Sequence, residues 1–223
     1  MVDGLVGSEM CIRDRINGRL DSRLHIQQLI WHNFSYLINM KKLLYTLFIL
    51  FIQFSFSQLN LDLEKSKIKW TGKKITNASH WGSLYFTEAN LFFDGEDLIK
   101  GKFIVDMNSM TVDDIQGRGK ERLENHLRDD DFFGVSTHKE AILEFSSKSE
   151  LKDGQYLVSG QLTIKGITNP IDFTIEPKND NYVANLTFDR TKYDVTYRSG
   201  NFFENLGDRL ILDEVELVVD LVK

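Results

Sequence analysis

From Ser66 to the C-terminus, apolar residues return at every second position, and a chain with that period folds as half-buried β-strands rather than helices. Ile68 and Trp70 alternate with Lys67 and Lys69, while Ile171, Phe173 and Ile175 alternate with Asp172, Thr174 and Glu176. The same spacing sets Phe103, Val105 and Met107 on one face, as it does Tyr156, Val158, Leu162 and Ile164. It recurs in Tyr182, Ala184, Leu186 and Phe188, and in Val215, Leu217, Val219 and Leu221. Turn-forming residues separate the runs at Asp94-Gly95, Asp153-Gly154 and Lys178-Asn179-Asp180-Asn181, so neighbouring strands are expected to pair as antiparallel hairpins.

One segment departs from the pattern. Leu123 and Leu127 stand four apart after Gly119, surrounded by Glu121, Arg122, Glu124 and Arg128, which is the signature of a short amphipathic helix. The resulting order is about three strands, a helical connection and about five strands, closely enough spaced for a sandwich or a barrel. No linker or internal repeat divides the region. Ile104, Leu157, Val218 and Val222 put apolar side chains on the second face of their strands, and some of these are expected under the helix. An eight-stranded barrel can enclose one small molecule or fill its interior with side chains, and the pattern alone is compatible with both.

The alternation does not extend to the first 57 of the 223 residues. Met40 is followed by Lys41-Lys42 and by an apolar run from Leu43 to Phe56, with small residues at Ser55 and Ser57. A positive segment, a run shorter than the ~20 residues of a membrane span and a small-x-small site make residues 40–57 a signal peptide, cleaved before Gln58. Residues 1–39 carry scattered arginines without period, and the stretch from Gly7 to Arg15 resembles translated sequencing-adapter sequence, so they are expected to be spurious upstream translation. The functional domain is then 58–223. With no cysteine at the cleavage site for lipidation, the expectation is a periplasmic or secreted protein with no stable membrane anchor.

Charge and residue inventory exclude several functions. The whole chain carries 27 Lys+Arg against 33 Asp+Glu; the expected mature part keeps 21 and 29, net −8. That sign is wrong for gripping a phosphate backbone, so no nucleic-acid partner is expected. The single cysteine, Cys11, lies outside the mature part, so disulfides play no role there. Gly-x-Ser-x-Gly is absent and no order of Ser, His and Asp selects a triad, so the protein is not expected to be an enzyme. His126, His138 and the run Asp129 to Asp131 match no metal-ligand spacing, and neither a metal nor a cofactor is expected. Gly117-Arg118-Gly119-Lys120 at the helix start offers a weak phosphate cradle, with a solvated loop as the default.

The ordered motifs resemble the YceI-like family. They run from Trp70-Thr71-Gly72 and His80-Trp81-Gly82 through Val105-Asp106-Met107-Asn108-Ser109 to His126-Leu127 and Asp131-Phe132-Phe133. Gly160-Gln161-Leu162-Thr163-Ile164-Lys165-Gly166-Ile167-Thr168, Asp189-Arg190 and Asp213-Glu214-Val215-Glu216-Leu217 complete the set. The resemblance implies an all-β fold, an antiparallel lipocalin-like barrel of about eight strands with a short helical insertion after the first three. It also implies an exported protein that holds a polyisoprenoid, or another long-chain lipid, inside the barrel. It transfers no catalytic residues. The chain departs from the family pattern at Ala141, where proline is usual and a loop effect is expected, and over Asn201 to Asp208, the last barrel corner.

On this reading the residues facing the ligand are Trp70, Phe86, Phe103, Val105, Leu162, Ile164, Phe173 and Ile175, with His80 beside the polar head. A filled barrel acting as an interaction module is the first alternative, and an enzyme using His80 or His126 on a small amphiphile the second. A homodimer is compatible with the sequence.

Overall fold

The computed structural model describes Lys42 and residues 57–223. The expected upstream translation (1–39) and the signal peptide, apart from Lys42 and Ser57, lie outside the described residues. Nine strands form one sheet: β1 (Ser57–Asn60), β2 (Lys67–Lys74), β3 (Ser79–Asp94), β4 (Asp97–Asp106), β5 (Glu140–Phe145), β6 (Tyr156–Ile164), β7 (Ile167–Lys178), β8 (Asn181–Asp189) and β9 (Ile211–Leu221). One α-helix, α1 (Gly117–Arg128), enters between β4 and β5. Among the described residues no helix is long and apolar enough to cross a membrane.

Every pairing is antiparallel, and β2 to β9 follow one another around the sheet until β9 meets β2. Closure removes the sheet edges that an open sheet of this length would leave unpaired. The barrel therefore has eight strands, three before the helix and five after it, as expected. The extra strand β1 pairs with the second half of β3, Ser57 opposite Phe93 and Asn60 opposite Asn90, while β2 pairs with its first half. Together β1 and β2 line one side of the long β3.

The hairpins follow from residues that tolerate left-handed backbone. At the β6–β7 turn Lys165 and Gly166 take φ of 50° and 74°, and at Asp153-Gly154 the values are 51° and 78°. Positive φ at both central positions matches the twist of two paired strands.

The inward face follows the alternation except where bulges shift the register, and the bulge near Phe86 on β3 is concealed by the sequence pattern. Leu84 and Phe86 point inward on β3, but so do Ala89, Leu91 and Phe93, because a bulge between Phe86 and Glu88 shifts the pairing with β4. An extra residue in one strand exchanges the two faces beyond it. The helix leaves two of the second-face residues uncovered. Leu157 and Val218 remain 65% and 40% exposed on the outer wall. Helix α1 is tied to residues 110–113 at one barrel end. The amide of Val112 donates to Glu124 Oε1 (2.9 Å), Arg128 donates to the carbonyl of Met110, and Lys120 pairs with Asp113.

Candidate functional site

One end of the barrel is packed solid. Phe93 lies 6.1 Å from Tyr156 and 5.8 Å from Tyr182 between ring centroids, and Phe145 lies 5.9 Å from Phe173. Leu91 and Leu98 expose no surface there. The Tyr156 hydroxyl donates to the carbonyl of Glu96 at 2.8 Å, and burial pushes the phenols of Tyr156 and Tyr182 above their ordinary range.

The other end is hollow. A cavity of about 270 Å³ opens beside α1, near the lower bound of ~300–1,000 Å³ usual for small-molecule sites. The interior is therefore not wholly filled. All nine candidate residues, Trp70, His80, Phe86, Phe103, Val105, Leu162, Ile164, Phe173 and Ile175, line it. The same alternation could have added Ile68, Leu84, Leu186 and Leu217, which also line the cavity. Leu123 and Leu127 reach it from the helix, and Phe132, Arg190 and Tyr197 from connections between elements. No period marks those three, and only their family motifs signalled Phe132 and Arg190.

Ala141 corrects an expectation. It lies within β5 opposite Val105, is buried, and forms part of the cavity wall rather than a loop. Unlike proline, alanine keeps the N–H that a strand ladder uses.

Trp70 is held by a tertiary bond. Its Nε1 donates to the carbonyl of Thr111 at 3.0 Å, and a Cβ built on Gly82 would stand 1.7 Å from that oxygen and 2.8 Å from Nε1. Only glycine leaves room for this approach, which explains why it belongs to the His80-Trp81-Gly82 motif.

Polar groups gather at the mouth. His80 Nδ1 lies 2.8 Å from Asp114 Oδ2, and the other carboxylate oxygen accepts from the Trp81 amide at 3.2 Å. Lys73 is paired with Glu216. An outer groove shares His80, Leu123, His126 and Tyr197 with the cavity and continues along Arg118, Glu121 and Arg122 of the helix. Within the Gly117-Arg118-Gly119-Lys120 stretch the lysine is engaged by the protein's own carboxylates, Lys120 Nζ lying 3.5 Å from Glu124 and 4.0 Å from Asp113.

Spacing along the chain did not foresee a second cluster. His126, Asp129 and Asp131 bring potential ligand atoms within 4.8 Å of one another. Both carboxylates are exposed, and we read them as the acidic rim of the mouth. His138 stands elsewhere, against Gly134 and Gly166.

Arg190 is the most buried charge among the described residues, at 1% exposure. Desolvation lowers its pKa from the ordinary guanidinium value, opposed by the charges of Asp213 and Asp189. Its donors are committed to backbone carbonyls and to Asp213. The Ser83 hydroxyl is likewise committed, donating to Asp113 Oδ2 at 2.6 Å.

Comparison with known proteins places this architecture. The family model described as "YceI-like domain" matches residues 59–223. A UPF0312 protein of Serratia proteamaculans (strain 568) is 34% identical over 92 residues, covering 41% of this chain and 45% of that relative. The chain thus matches less than half the length of that relative. The crystal structure of BcnA from Burkholderia cenocepacia superimposes with a TM-score of 0.58 at 21% identity, over 73% of this chain and 98% of that one. A polyisoprenoid binding domain from Saccharophagus degradans aligns at 15% identity and a TM-score of 0.49, over 76% and 97% of the respective chains.

Proposed function

The chain belongs to the YceI-like domain family, and from that premise we propose that it is an exported carrier that holds a polyisoprenoid or a similar long apolar lipid in its barrel. The observation that carries this reading is the cavity itself, walled by residues such as Phe86, Phe103, Leu162 and Phe173, closed at one end and open at the other. An apolar tail entering it leaves water at a gain of about 0.8 kcal/mol per buried CH₂, so affinity needs few polar contacts. A long chain exceeds the resting volume of about 270 Å³, so part of it would extend through the mouth or the walls would yield.

The nine candidate residues would contact the tail, with His80 beside the head. Export would follow from the signal peptide at 40–57, leaving 58–223 free in the periplasm or the medium, without a stable membrane anchor. Expression from Met40 in an exporting bacterium should yield a mature protein whose first residue is Gln58. Retention of Met40 would overturn the export reading.

Mass spectrometry of organic extracts from protein purified out of such a host tests the carrier reading. The expected result is an isoprenoid in stoichiometric amount. A clean extract, with failure to bind added polyprenyl lipid, would overturn it. One observation favours a second reading, a His-dependent enzyme: Asp114 orients the imidazole of His80 at the cavity mouth. Chemical alteration of a bound lipid over time, lost in His80→Ala, would support that reading.

A further inference from the structure

Among the buried side-chain nitrogens and oxygens of the described residues, Nε2 of His126 alone lacks a hydrogen-bond partner. Native interiors rarely tolerate such an atom, and a missing ligand is one of the few explanations. We propose that His126 Nε2 is where the cavity reads the polar end of its ligand, and that it selects a neutral terminal hydroxyl. This rests on the carrier reading and adds the chemistry of the head group.

The ring is flanked by two aromatic side chains that cover Nε2, and these give way slightly when a ligand reaches it. The imidazole packs edge-to-face against Tyr197 at 4.5 Å and Phe132 at 5.4 Å between centroids. It also lines both the apolar cavity and the outer groove, the boundary where an amphiphile with a buried tail places its head. Nδ1 faces Asp131 Oδ1 at 3.7 Å. In the neutral ring that carboxylate favours the proton on Nδ1, so Nε2 presents a lone pair and calls for a donor. His80, which lines the same cavity and groove, also has its Nδ1 committed to a carboxylate, that of Asp114.

Lys74 lines the cavity and Arg118 and Arg122 line the groove, but the charges beside the imidazole itself argue against an anionic head at Nε2. Asp129 and Asp131 stand beside the imidazole, and the guanidinium of Arg190 is already bonded to three carbonyls and Asp213. Lys73 is held by Glu216, and Arg198 lies over the Tyr197 ring. A hydroxyl donates to Nε2 without bringing a second negative charge to the rim. A hydrocarbon or an ether leaves the atom unpaired.

Binding of geranylgeraniol, its methyl ether and its monophosphate to the mature chain, measured by calorimetry, tests the proposal. The alcohol is expected to bind about tenfold more tightly than the ether, the worth of one well-placed hydrogen bond. His126→Leu should bring that ratio close to one. Nitrogen-15 resonances of the wild-type histidines provide a readout independent of any variant's folding: Nε2 of His126 should shift with the alcohol and not with the ether. Equal affinities, an unaltered ratio in the variant, or tightest binding of the phosphate would overturn the proposal. Failure of all three to bind would instead overturn the carrier reading beneath it.

Discussion

Arg190 donates through Nη2 to Oδ1 of Asp213 at 3.0 Å, joining the connection that follows β8, where Arg190 lines the cavity, to the start of β9. The same guanidinium donates to the carbonyls of Val195 (2.7 Å), Ile211 (3.1 Å) and Leu212 (3.2 Å). The second oxygen of Asp213 accepts from Ser199 Oγ and Asn201 Nδ2, both at 2.9 Å. One ion pair therefore anchors the excursion that includes Asn201 to Asp208, where the chain leaves the family pattern.

Removing one partner strands the other. Asp213→Ala leaves a buried guanidinium without the carboxylate it is bonded to, a change that typically costs about 3–5 kcal/mol. Urea denaturation should show that loss. Arg190→Lys should be nearly as damaging, because an ammonium cannot reproduce the fork that reaches three carbonyls. A loss below about 1 kcal/mol in both variants would contradict the anchoring role.

Trp70 and Gly82 form a separate unit. Trp70→Phe removes the donor to Thr111, at about 0.5–1.5 kcal/mol. Gly82→Ala forces a methyl group against the Thr111 carbonyl and should cost more. In the double variant the two losses should not add, since both act on the same bond. Additive losses in thermal unfolding would show the two residues to be independent.

Filling the hollow end should block lipid binding without unfolding the barrel. Ala141 and Ala184 are buried residues of the cavity wall. Changing both to leucine places new volume in existing space, so stability should fall by less than the ~1–3 kcal/mol typical of overpacking a full core. Capture of a fluorescent polyprenol analogue should fall by at least about tenfold. Undiminished capture would place the lipid elsewhere.

Alkaline pH should destabilise the fold through its buried phenols. Tyr156, Tyr182 and Tyr193 are all raised above the ordinary value of 10.0, chiefly by desolvation. A raised folded-state value means the folded protein holds the proton more tightly than the unfolded chain. The contribution is thus fully present below about pH 10 and is lost as pH rises beyond it. Melting temperatures should decline above that pH, and phenolate absorbance from these residues should appear together with unfolding. A separate phenolate step in the folded protein would contradict this.

Much of the architecture was legible because side-chain direction in a strand is local. Pairs such as Phe103 and Val105, or Leu162 and Ile164, share a face whatever their strand pairs with, and the helix was readable from Leu123 and Leu127. Thr87 was not legible as a bulge position, since an inserted residue looks like any other until the partner strand is known. Nor could periodicity signal the site roles of Arg190 and Tyr197, which follow from connections between elements. Strand β1 also escaped, because its four residues acquire meaning only opposite Asn90 to Phe93.

The sequence by itself determined which residues turn together, through the two-residue pleat, and where the chain reverses, through residues that accept positive φ. Only the tertiary structure decided that β9 closes on β2, that the bulge exchanges the faces of β3, and that His126 meets the cavity with one nitrogen unpaired. The physical reason is that closure, register and empty volume are properties of eight strands acting together, set by how their side chains fill a shared interior and encoded in no single segment.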